Sequence, residues 1–236
     1  MSGEARTSRR LSLCLLVGSG LAFVTLTMLV RVGAFGLHRL DLQSVLWVTT
    51  HRGRHWEAWD AAVTAFGSPF FAVPVTAIAC AVAGWADRRW RPMVEGAVGL
   101  VLLPIGVLGL KVLIGRTPPT YAGDDLRPWE FLNGRSFPSG HTATALVCWV
   151  IVARAFTPTS GVTRRVAVAA AAVGSLVVGA GMVVGRAHWP TDIPAGWLLG
   201  VAVLAVADLV TSAVRPRRSL GAAEGAAEPK APERAA

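Results

Sequence analysis

The chain has 236 residues, of which 53% are hydrophobic and 16% charged, and its mean hydropathy is +0.51. These values exclude an ordinary soluble domain and fit a polytopic membrane protein. The formal net charge of +9 does not indicate nucleic acid, because the basic residues cluster in short loops beside apolar runs and form no soluble basic domain.

Crossing a hydrocarbon core takes ~20 mostly apolar residues. Six stretches meet or approach that length: Leu11–Val30, Ser68–Ala86, Met93–Ile114, Thr142–Phe156, Val166–Val184 and Ile193–Val214. The first is longer than a signal-peptide apolar region and five more follow it, so it reads as an anchor. The fourth is short and draws on His141 and its neighbours. The expected fold is all-α, a six-transmembrane-helix bundle over residues 11–214. Residues 1–10 form a cytoplasmic tail, and the Ala/Glu/Pro-rich stretch 215–236 a disordered one. Between the first two spans, the 37–67 loop carries Trp47, Trp56 and Trp59 among His and Arg, and is expected along the outer interface. Cys14, Cys80 and Cys148 all fall inside spans without metal-ligand spacing and read as small apolar packing residues. Gly196 and Gly200 form a Gly-x-x-x-Gly pair, a sign of close helix packing.

Assigning loops alternately to two sides puts 14 of the 23 basic residues on the side that holds both tails. The positive-inside rule then makes both termini cytoplasmic. Several ionisable residues collect at the opposite, outer face. Lys111 lies in the last turn of the third span, before Gly115, a helix C-cap, and ahead of Pro118 and Pro119. His141 opens the fourth span, and His188 and Asp192 lie in the link between the fifth and sixth. Ionisable groups at membrane depth are costly and mark function.

The chemistry of this set suits phosphate. Ser139 and Gly140 open a helix, where backbone N–H groups and the dipole favour an anion, and Gly140 permits close approach of an oxyanion. Lys111, Arg116 and Arg186 are candidate partners for phosphoryl oxygens. Asp192, four residues after His188, suits fixing an imidazole tautomer, and His141 suits protonating a leaving oxygen. Singly, each has a plainer reading: Ser139 as a cap, Lys111 as a snorkelling side chain, Arg186 as an interface anchor, Asp192 as a helix cap. Their collection on one side favours a site.

The segments Pro138–His141 (PSGH) and His188–Asp192 (HWPTD), preceded by a Lys/Arg segment, resemble the type 2 phosphatidic acid phosphatases, the membrane-bound lipid phosphate phosphatases. Thr64–Pro69 (TAFGSP) is also similar to bacterial members, and the resemblance covers roughly residues 40–212. It implies six helices and an outward-facing, metal-independent site without a cofactor. By that match His188 is the nucleophile that becomes a phosphohistidine, Asp192 orients it, and His141 is the general acid. Ser139, Gly140 and Lys111 would bind phosphate. The family's first-motif arginine falls at Pro118, with Arg116 nearby, and its third-motif arginine at Met182. Arg186 lies four residues after Met182, one helical turn on the same face, and is expected to reach the same phosphate.

The implied activity is hydrolysis of a lipid phosphate or pyrophosphate in the outer leaflet, of the undecaprenyl pyrophosphate, phosphatidylglycerol phosphate or phosphatidic acid class. The alternatives are a lipid phosphotransferase using the same site, or a non-catalytic anionic-lipid-binding or transport protein. The partners are the bilayer and its lipid phosphate. The 117–137 loop, with Asp124, Asp125, Arg127, Trp129 and Arg135, is a candidate substrate gate. Nothing in the sequence assigns an oligomeric state.

Overall fold

The computed structural model describes residues 3–53, 55–119 and 135–214. The tail from Arg215 and most of the candidate gate, including Asp124, Asp125, Arg127 and Trp129, lie outside the described residues. The chain is all helical where described: α1 (Gly3–Val32), α2 (Leu37–His51), α3 (His55–Gly67), α4 (Pro69–Ala86), α5 (Trp90–Ile114), α6 (Gly140–Ala155), α7 (Val162–Val184) and α8 (Asp192–Ala213).

Five of these, α1, α4, α5, α7 and α8, are long and apolar enough to cross a membrane. Their outward side chains are apolar: Phe70, Val112, Leu113 and Val162 are all exposed, which suits a hydrocarbon solvent and would be costly in water. The protein is therefore a polytopic, all-α membrane protein. α6 is shorter, at 16 residues. It is also the central helix, packed against α3, α4, α5, α7 and α8. Every side chain from Thr142 to Cys148 is buried. A helix enclosed by protein on all sides needs no long lipid-facing stretch, and its neighbours satisfy its burial.

The main core forms where α6 meets α4, α5 and α8, around Cys80, Leu103, Leu146, Val147, Ile151 and Leu204. Cys80 and Cys148 pack there as small apolar groups, whereas Cys14 is exposed on α1. α1 lies along α8 on the outside of the bundle.

Two expectations change. The N-terminal tail is helical from Gly3, continuing α1 ahead of the apolar run at Leu11, because no Gly or Pro interrupts residues 4–10. The 37–67 segment holds two helices, α2, which ends at His51, and α3, which starts at His55. On α2, Asp41, Val45 and Val48 fall at i, i+4 and i+7 and share one buried face.

At the end of the bundle away from the His–Asp segment, Arg154 Nη1 donates to Glu95 at 2.6 Å and to Asp208 at 3.2 Å. This ties α6 to α5 and α8 through a largely buried ion cluster.

Candidate active site

Four chain segments meet at one end of the bundle, and the local sequence explains each. α5 stops because Gly115 takes φ 67, the left-handed region that suits glycine, while its N–H bonds the Lys111 carbonyl at 3.0 Å. α6 starts at the Ser139 cap, whose Oγ accepts the Thr142 N–H at 3.4 Å and lies 3.0 Å from Thr142 Oγ1. α7 ends at Val184, and the Ala187 and His188 N–H groups both donate to the Met182 carbonyl, at 3.0 and 3.1 Å. α8 begins at Asp192, with the Asp192 N–H bonded to the Trp189 carbonyl at 2.9 Å.

These ends are stitched together. The Ser139 N–H donates to the Asp192 carbonyl at 3.0 Å, joining the start of α6 to the start of α8. Trp189 Nε1 donates to the Thr117 carbonyl at 2.7 Å, joining the His–Asp segment to the chain after α5. Gly67, in the TAFGSP segment, lies so close to α6 that a Cβ there would sit 3.1 Å from both the Cβ and the carbonyl oxygen of His141.

His188 and Asp192 are both buried, with Nδ1 of the imidazole 3.2 Å from Asp192 Oδ2. A carboxylate only accepts, so this contact places the proton on Nδ1 and leaves the Nε2 lone pair available. Asp192 Oδ2 also accepts the Trp189 N–H at 3.0 Å, which fixes the carboxylate plane. The His141 ring lies 6.3 Å from the His188 ring, centroid to centroid. Lys111 comes to the same place: its Cε and Nζ lie 3.7 and 3.9 Å from where a Cβ on Gly140 would sit. Both Lys111 and His188 bear electrostatically on His141. Lys111, Ser139, Gly140, His141, His188 and Asp192 are thus brought together.

The two arginines are placed differently. Arg116 is wholly buried and its guanidinium spans two carboxylates. Nη1 meets Asp192 Oδ1 at 2.5 Å and Thr191 Oγ1 at 2.8 Å, and Nη2 meets Asp41 Oδ2 at 2.6 Å. Its charge faces carboxylates, where the sequence reading set it against phosphate. Arg186 does not share a helix face with Met182. Met182 is a buried α7 residue, whereas Arg186 lies beyond the helix end in the left-handed region at φ 59. The helical four-residue step therefore does not apply. Arg186 is half-buried beside the turn into His188.

The sequence reading missed Asp41. It lies in α2, fully buried, and accepts from the Thr191 N–H at 3.0 Å and the Thr191 hydroxyl at 2.7 Å. Burial pushes its carboxyl above the ordinary value, while the Arg116 guanidinium and the Thr191 bonds pull it back down. The available signal was the acid at the head of an i, i+4, i+7 apolar row. Among the described residues, no three His, Cys, Asp or Glu side chains are grouped so as to hold a metal ion.

The fold and the site define a helical membrane protein with a buried His–Asp pair at the helix ends, beside a second histidine and a lysine. The chain belongs to the PAP2 superfamily, whose profile matches residues 93–215. No curated protein matches it by sequence. Its fold is similar to the crystal structure of a transmembrane PAP2-type phosphatidylglycerolphosphate phosphatase from Bacillus subtilis. The TM-score is 0.73 at 20% identity, over 87% of this chain and 100% of the other.

Proposed function

We propose that the protein hydrolyses a lipid phosphate or pyrophosphate through a phosphohistidine on His188. The observation that carries this reading is the His188 Nδ1–Asp192 contact of 3.2 Å, with the His141 ring 6.3 Å from the His188 ring. Nε2 attacks phosphorus and forms a P–N bond as the bond to the leaving oxygen breaks. His141, as the imidazolium, gives that oxygen its proton. Asp192 stabilises the charge that grows on the His188 ring. Water, deprotonated by His141, then attacks phosphorus, releasing phosphate and restoring His188. Lys111, the α6 N-terminus at Ser139 and Gly140, and Arg186 neutralise the phosphoryl oxygens. No metal takes part in this scheme.

An apolar groove of about 680 Å³ between α2, α7 and the start of α8 supports a lipid substrate. Trp47, Val48, Val183 and Ile193 line it, and Ile193 adjoins Asp192. The phosphatidylglycerolphosphate phosphatase of similar fold has a substrate of this class. In this reading α6 completes six spans, both tails are cytoplasmic, and the site opens at the outer leaflet.

Phosphate release by the purified protein, measured over phosphatidic acid, phosphatidylglycerol phosphate and undecaprenyl pyrophosphate with a chelator present, tests the proposal. Release from at least one of them supports it, and release from none contradicts it. Adding an alcohol acceptor and analysing the products shows whether water or the alcohol takes the phosphoryl group.

A further inference from the structure

We propose that Asp41 is a positioning residue for the reaction, acting through Arg116 to hold Asp192 against His188. This rests on the reading of His188 as the nucleophile.

The geometry forms one chain of contacts. His188 Nδ1 meets Asp192 Oδ2, Asp192 Oδ1 meets Arg116 Nη1, and Arg116 Nη2 meets Asp41 Oδ2. Thr191 closes it, accepting from Arg116 Nη1 and donating to Asp41 Oδ2, while its backbone N–H donates to Asp41 Oδ1. Asp41, Arg116, Asp192 and Thr191 are all buried. The hydroxyl proton of Thr191 must point at Asp41, because the Thr191 oxygen already accepts from Arg116. Both Asp41 oxygens therefore face donors, an arrangement that suits an ionised carboxylate.

Charge counting gives Asp41 its function. Arg116 alone against Asp192 would cancel the negative charge that the imidazole needs. With Asp41 ionised, the Asp41–Arg116–Asp192 set carries one net negative charge. That charge stabilises the positive charge that develops on the His188 ring as the P–N bond forms. Asp41, on α2, holds one prong of the Arg116 guanidinium while the other prong holds Asp192, so an element remote in sequence from the His–Asp segment helps to fix that carboxylate. Among the described residues, the other charged or titratable groups at this end of the bundle include His141 on α6, Lys111 on α5 with Arg135 acting on it, Arg186 in the preceding turn, and Asp60 of α3 against Gly185. None of these changes when Asp41 is altered.

The test compares wild type, Asp41→Asn, Asp41→Glu, Arg116→Lys, Thr191→Val and His188→Ala, all full length in detergent. The measurements are kcat and KM against pH with the best lipid phosphate of the panel, and inhibition by orthovanadate and by inorganic phosphate. Vanadate adds to a nucleophile as the transition state does, whereas phosphate needs only the anion site. Asp41→Asn should lower kcat on the order of 10- to 100-fold, the range for residues that hold a reacting side chain's partner, with KM nearly unchanged. The acid limb of kcat/KM should move to lower pH, because one negative charge fewer retains a proton on the imidazole. Vanadate inhibition should weaken while phosphate inhibition holds. Asp41→Glu should recover part of kcat, and Arg116→Lys, which keeps the charge but loses the fork, should not. A lower melting temperature with kcat per folded molecule, acid limb and vanadate inhibition unchanged would make Asp41 a purely structural residue and overturn the proposal. If Asp41→Asn does not fold, Thr191→Val decides: a fall in kcat at constant KM is expected, and an unchanged kcat overturns it. Full activity in His188→Ala would instead overturn the nucleophile assignment itself.

Discussion

Gly196 and Ser139 meet backbone to backbone: a Cβ at position 196 would overlap the Ser139 carbonyl oxygen. The contact seats the first turn of α8 on the cap of α6, the two helix ends that carry Asp192 and His141. Gly196→Ala must displace backbone and should destabilise by about 1–3 kcal/mol. Because the shift falls between the segments that carry His141 and Asp192, to which the proposed mechanism assigns catalysis, kcat should also fall on the order of tenfold or more. Gly200 faces the Leu146 side chain, with the nearest atom at 2.9 Å, and a side chain can rotate away. Gly200→Ala should therefore cost less stability and leave kcat close to wild type. Thermal melts and steady-state kinetics of the two variants check both statements.

Arg186 yields a prediction with two opposite signs. Its left-handed backbone suits glycine, and a non-glycine residue there costs roughly 1–2 kcal/mol. Arg186→Gly should raise the melting temperature. If the guanidinium contacts the phosphoryl group, the same variant should lose on the order of 2–4 kcal/mol of transition-state stabilisation, as for removal of an oxyanion donor. Arg186→Lys should recover only part of that loss. An interface anchor would show the gain in stability without the loss in kcat/KM.

At the other end of the bundle, Arg154 neutralises Glu95, which is only 3% exposed, and Asp208. Arg154→Met removes the cation that hydrogen-bonds both carboxylates, leaving Arg91 and Arg164 as nearby charges, and should destabilise by about 3 kcal/mol. The cluster is remote from the His–Asp pair, so kcat per folded molecule should stay near wild type. Denaturation monitored alongside active-site titration separates the two effects.

The sequence exposes what is local and hides what is long-range. The helix ends at Gly115 and Ser139 are legible because a glycine and a capping serine mark them, whereas α8 starts without a side-chain cap and the Asp192 carboxylate instead accepts the Trp189 N–H. The pairing of His188 with Asp192 follows from a four-residue spacing within one segment. Arg116 is different: its partners Asp41 and Asp192 are 75 and 76 residues away, and no local pattern announces such a bridge. Asp41 is hidden for the same reason and because α2 has no run long enough to stand out as a span. The expectation for Arg186 extends a helical period past Val184, although the backbone switches to the left-handed region at Arg186 itself. Periodicity is informative only inside the helix that generates it.

Covalent capture at His188 tests the central claim most directly. Wild type and His188→Ala are mixed with a lipid phosphate labelled in its terminal phosphoryl group and quenched in alkali, where phosphohistidine survives. The modified peptide is then located by mass spectrometry. A phosphoryl adduct on His188 in wild type, absent together with turnover in His188→Ala, is the predicted result. Turnover by His188→Ala at a rate near wild type, with no adduct on His188 in either protein, would contradict it.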